Sequence, residues 1–185
     1  MAHDPLMEMD CSSGPIGSYG GRMTITDSLV DIPVRLDFDQ LVPQFSRAVA
    51  SLDQAATAEL DRARIDPALR ELVRLRASQL NGCAYCVDMH SKDGRTAGLT
   101  DQKLHAVAIW QDSALFTATE RAALEFTEQV TRLSETHVPE AVVDRARAEL
   151  GEERLAALLT LVIAINVWNA IGVTARCWSV HRDAA

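Results

Sequence analysis

Between Glu71 and His90 the chain reads ELVRLRASQLNGCAYCVDMH, and this stretch concentrates the residues able to do chemistry. Cys83 and Cys86 stand three apart, and His90 stands four beyond Cys86. On a helix those intervals stack the three side chains on one face, one turn above the next. Two thiols and an imidazole in a line suit dithiol redox chemistry. One sulfur attacks as a thiolate, a second resolves the product, and a base takes and returns the proton. A helix N-terminus would help, because its free N–H groups and dipole favour a thiolate. Glu71 precedes Cys83 by twelve residues. A reversal at Asn81-Gly82 would return it beside the Cys–His face, to orient the imidazole or share its proton.

Two blander readings compete. Cys83, Cys86 and His90 could bind zinc, but a closed structural site wants four ligands and no second Cys-x-x-Cys or His pair supplies the fourth. Glu71 is the ligand at hand, and carboxylates are uncommon in such sites. The cysteines could also be core residues, and Glu71 taken alone reads as a solvated residue in a first helical turn. Redox chemistry is favoured, and metal is the weaker reading.

The elements that must position these residues read as helices. Apolar Leu41, Val42, Phe45, Val49 and Leu52 recur at helical spacing from Phe38, with Pro43 near the start. Asp66-Pro67 is a cap followed by Pro at the first position of a second helix, running to about Leu80. Asn81-Gly82 ends it, and a third helix runs from near Cys83 to about Thr96. Thr100 caps a short helix holding Leu104, Val107 and Ile109. Thr117 with Glu120 forms a capping box for a fifth. Pro139 starts a sixth, and Gly151 separates it from a long apolar seventh. The expectation is one all-α domain of roughly seven helices over residues 23–185.

Composition agrees. The 185 residues are 48% hydrophobic and only 5% aromatic, with nine Gly and six Pro, too little turn punctuation for a many-stranded fold. Lys+Arg is 18 against Asp+Glu 26, a net charge of −8 that repels phosphate backbones and anionic lipid, so neither nucleic acid nor membrane is expected as a partner. Leu155 to Ala175 is long enough to span a bilayer, but Thr160, Asn166, Asn169 and Thr174 interrupt it and its flanks carry no anchors. It reads as a buried core or interface helix, apolar all round, which suggests a homo-oligomer. Residues 1–22 read as a flexible leader, either a cloning scar or a misassigned start, with Cys11 given no role. Four cysteines without a secretory signal point to a reducing, cytoplasmic setting.

The pattern Glu71-x11-Cys83-x2-Cys86-x3-His90 resembles the alkylhydroperoxidase D-like (AhpD-like) core of the carboxymuconolactone decarboxylase family. The resemblance continues through Gly98-Leu99-Thr100, Trp110, Phe116 to Thr127 and IAINVWNAIG, covering about residues 35–178. It implies a helical domain assembling as trimers or hexamers, and a thiol-dependent peroxidase or disulfide reductase; a non-peroxidatic binding protein on the same fold is the alternative, and no metal or other cofactor is expected. It also implies roles: Cys86 peroxidatic, Cys83 resolving, Glu71 and His90 a proton relay. The partners would be an organic hydroperoxide and a thiol or dithiol reductant protein. The helix-dipole argument alone would make Cys83 the nucleophile.

Tyr85 departs from the pattern, because the best-characterised peroxidases of that family carry His just before the second cysteine. A phenol with pKa near ~10 is no base at neutral pH, which implies slower turnover or a different reductant. Decarboxylating members lack the cysteine pair, so decarboxylation is not implied. Ser78 and Arg76 read as holding the helix pair together. Asn166 and Asn169 read as a structural amide network or as pocket lining. Cys177 reads as a buried small hydrophobe, and His105, His137 and His181 as capping or surface residues.

Overall fold

Asp66 accepts the backbone N–H of Ala68 at 2.7 Å and so starts α3 (Pro67–Asn81), the helix around which the rest is built. In this computed structural model, which describes residues 30–180, α1 (Phe38–Leu41) and α2 (Pro43–Arg62) precede it. α4 (Ala84–Thr96), α5 (Asp101–Ala106), a 3₁₀ segment (Val107–Asp112) and α6 (Ala118–Thr131) follow. α7 (Leu133–Thr136), α8 (Glu140–Leu150) and α9 (Glu152–Ala175) complete the order. The described residues contain no strand, so the all-α class stands. The 1–22 leader, Cys11 and His181 lie outside the described residues.

Several expected boundaries shift for physical reasons. The first helix is two, because Pro43 cannot donate to a preceding carbonyl and pushes Val42 out of the helical region, to φ −134° and ψ 57°. The helix expected through Val107 and Ile109 breaks into the 3₁₀ segment, where Ile109 has φ −126°. That tighter turn carries Trp110 inward, and its Nε1–H donates to Glu128 at 2.7 Å. Pro139 caps α8 instead of starting it. α7 is a single turn that no sequence pattern announced.

α3 packs against α4, α6 and α9. One apolar cluster joins Leu60, Leu69 and Val73 to Phe126, Leu158, Leu161 and Val162, from α2, α3, α6 and α9. A second joins Leu72 and Leu75 to Leu104, Val107, Trp110, Phe116 and Leu124 on the other side of α3. α9 is long and apolar enough to cross a membrane by length and composition. In the fold it is a core helix, with Leu158, Leu161, Val162 and Ile165 buried, while Leu159, Ile163 and Val173 face outward.

Candidate active site

The α3–α4 corner builds the site. Gly82 ends α3 at φ 72°, a left-handed conformation cheap only without a Cβ. Cys83 becomes the N-cap of α4, and its Sγ accepts the backbone N–H of Cys86 at 3.3 Å. The two cysteines are disulfide-bonded, with Cα atoms 5.3 Å apart. Both are buried, but only Cys86 lines a cavity of about 540 Å³ bounded by α1, α2, α3, α4, α9 and the segment after α9. Cys83 faces α9 instead. A Cβ at Gly172 would lie 3.0 Å from Cys83 Sγ and 3.3 Å from the Trp178 ring, so glycine permits this approach.

The reversal at Gly82 brings Glu71 back to α4. His90 Nδ1 lies 2.9 Å from Glu71 Oε2, and both side chains are buried. An ionised carboxylate can only accept, so Nδ1 carries a proton, and in the neutral ring it is Nε2 that keeps the lone pair. Nε2 is buried without a hydrogen-bond partner, and His90 lines the same cavity as Cys86. Arg74 Nη1 donates to Glu71 Oε1 at 2.6 Å. Burial pushes the Glu71 carboxyl up, but the His90 hydrogen bond and the Arg74 charge outweigh it and hold the group below its ordinary value. Arg74 was missed in the sequence, although its place three residues after Glu71 on one helix face was a readable signal.

The remaining sequence-singled residues divide into clasp and wall. Asn81 Nδ2 donates to Asn166 Oδ1 at 2.8 Å and to Asn169 Oδ1 at 2.9 Å, while Asn169 Nδ2 donates to Ser78 Oγ at 3.1 Å. These amides fasten the end of α3 to α9 and do not line the cavity. Arg76 ties α3 to α6 through a buried ion pair with Glu128, at 2.7 Å. Tyr85 lines the cavity. His105 and His137 are exposed, and Cys177 is half-buried instead of buried.

Among the described residues, one cluster of side chains could seat a cation. Ligand atoms of Glu71, His90 and Asp93 lie within 4.8 Å of one another. Arg74 already supplies positive charge to Glu71 there, and two bonded sulfurs offer no thiolate ligands, so the donor set suits a metal poorly.

The site is thus a Cys-x-x-Cys at the start of α4, backed by a carboxylate–imidazole pair in an all-helical frame. Residues 43–129 match the model of the carboxymuconolactone decarboxylase family, to which this chain belongs. It is 30% identical over 139 residues to the uncharacterised YdfG of Bacillus subtilis, covering 75% of this chain and 92% of that protein. It is 38% identical over 105 residues to the uncharacterised YnjA of Escherichia coli, covering 56% of this chain and 57% of that one. A crystal structure from Agrobacterium tumefaciens, of a protein of unknown function assigned provisionally to AhpD antioxidant defence, superposes with TM-score 0.76 at 31% identity. It covers 81% of this chain and 100% of that one. The debrominase Bmp8 shares the fold, with TM-score 0.64 at 20% identity over 74% of this chain and 72% of its own.

Proposed function

We propose that this protein is a thiol-dependent peroxidase that cycles Cys83 and Cys86 between dithiol and disulfide. The observation that carries the reading is the division of the pair. Cys86 borders the cavity beside His90, while Cys83 is turned away against Gly172. In the dithiol form the Cys86 thiolate attacks the terminal oxygen of a hydroperoxide. An S–O bond forms, the O–O bond breaks, and the organic oxygen leaves with a proton as the alcohol. Sulfur is oxidised by two electrons to a sulfenic acid. Cys83 then attacks the Cys86 sulfur, hydroxide leaves as water once protonated, and the disulfide closes. A thiol or dithiol reductant protein supplies two electrons and two protons to restart the cycle.

The Glu71–His90 pair is the proton relay in this scheme. With Nδ1–H held by Glu71, the free Nε2 lone pair accepts the thiol proton and later returns it to the leaving alkoxide. Arg74 keeps Glu71 ionised, so Glu71 orients the imidazole and steadies its charged form. No metal or other cofactor takes part.

A general disulfide reductase on the same pair is the second reading. Its support is the Cys86 N–H on Cys83 Sγ, which makes Cys83 a good leaving thiolate when another thiol attacks Cys86. Peroxide-driven loss of two thiols separates the two, since a pure disulfide reductase leaves its dithiol intact under one equivalent of hydroperoxide. The outward apolar residues of α9 support a homo-oligomer, a trimer or hexamer, and the thiol chemistry fits a reducing cytoplasm.

A further inference from the structure

Beyond α9 the chain turns at Arg176, with φ 49°, and runs back over the site. The turn is pinned where Ala175 O accepts the N–H groups of Arg35 at 2.9 Å and Leu36 at 3.0 Å. Trp178 is then fixed by its Nε1–H, which donates to Asp39 Oδ2 at 2.9 Å. Its ring centroid lies 5.6 Å from that of Tyr85 and 5.6 Å from that of Trp168. All three rings line the cavity that Cys86 and His90 also line. This makes an aromatic wall from three separate segments, α4, α9 and the strap after α9, in the cavity that Cys86 borders.

The cavity volume of about 540 Å³ is far more than hydrogen peroxide fills, since a water occupies about 30 Å³. The wall's rings offer flat, polarizable faces and edges, which reward another ring in offset or edge-on contact more than a branched alkyl group. Tyr85, unsuited to serve as a base, has a use here as part of the wall.

We propose that Trp178, with Trp168 and Tyr85, is the specificity determinant of the site, selecting hydroperoxides whose organic group is aromatic or conjugated. The proposal rests on the peroxidase reading for its substrate and on the aromatic geometry for its selectivity. Trp178 acts by touching the organic group, and the sulfur chemistry does not need it.

The experiment compares rates of thiol loss for pre-reduced protein with cumene hydroperoxide and tert-butyl hydroperoxide. It is run on the native protein, Trp178→Leu and Trp178→Phe. The native protein prefers cumene hydroperoxide, and the ratio of the two rate constants falls about fivefold in Trp178→Leu, in line with loss of one aromatic pairing, and is largely kept in Trp178→Phe. An unchanged ratio in Trp178→Leu, or equal loss in the Phe variant, overturns the proposal. Binding of the product alcohols to the native protein is measured in parallel by ligand-observed NMR, which needs no turnover and so decides the proposal even where a variant fails to fold. Preferential binding of 2-phenyl-2-propanol over tert-butanol by native protein supports the aromatic wall even if no hydroperoxide reacts, in which case the peroxidase reading alone falls. Equal binding of the two alcohols sinks the wall and leaves the peroxidase reading standing.

Discussion

α3 carries two Arg–Glu arrangements whose arginines, Arg74 and Arg76, stand two residues apart, and they end differently. Arg76 is paired with Glu128, whose Oε1 also accepts Trp110 Nε1–H at 2.7 Å, while Gln111 Nε2 lies 3.3 Å from Oε2. Among the described residues, no buried side-chain nitrogen or oxygen of that network lacks a partner. Arg74 is paired with Glu71, whose second oxygen holds His90 Nδ1, and there the chain of bonds stops at a buried, unpartnered Nε2 on the cavity wall. A saturated buried network fixes the packing of α3 on α6. An unsaturated one beside a sulfur keeps a proton acceptor in reserve. The same residue types thus close one network and leave the other open, and the proposed chemistry falls to the open one.

The sharpest break between the two lies in the cysteines next to the open network. Cys86→Ser is expected to abolish peroxide-dependent thiol loss, with no sulfenic acid trapped by dimedone. Cys83→Ser is expected to leave a trappable sulfenic acid that cannot close. Sulfenic acid trapped on Cys83 in the Cys86→Ser protein would reverse the assignment.

The closed network should answer to stability instead. Glu128→Ala strands the Arg76 guanidinium and is expected to cost about 3–5 kcal/mol, read from urea unfolding, whereas a change below ~1 kcal/mol would remove its architectural role. His90→Gln should do the opposite, slowing sulfenic acid formation by about 10²-fold with the fold kept.

The smallest expected effect is on the acid side. Glu71 titrates below its ordinary value in the fold, so its ionised form contributes stability that is fully present above the unfolded carboxylate value. That contribution is lost as pH falls through the lower folded value. Glu71→Gln should therefore flatten the acid limb of a stability–pH curve, and an identical limb in both proteins would show that Glu71 gains nothing from His90 and Arg74.

These two networks were unequally legible in the sequence. Cys83, Cys86 and His90 share a helix face by spacing, and the Asn81-Gly82 stop allowed Glu71 to return beside them, an approach that the 2.9 Å contact with His90 shows. Asp66, Thr100 and the Thr117–Glu120 box announced their helix starts for the same local reason, and each side chain takes its expected N–H. Arg76 and Glu128 are separated by 52 residues, and nothing in a one-dimensional pattern couples them. The aromatic wall was hidden likewise, because Trp178 reaches Tyr85 only after α9 and a left-handed turn at Arg176. Asn166 and Asn169 were readable as polar positions on an apolar helix, but not their partner Asn81. The kink at Ile109 follows from where Trp110 must point, a tertiary demand that overrides local helix spacing.

The central claim is that a hydroperoxide oxidises this dithiol through Cys86. The most direct test reduces the metal-free protein, adds one equivalent of cumene hydroperoxide, counts thiols and maps the product by mass spectrometry. The account predicts loss of two thiols, recovered as a Cys83–Cys86 disulfide, with Cys11 and Cys177 still free. A full complement of thiols after peroxide, or oxidation confined to Cys11 or Cys177, would contradict it.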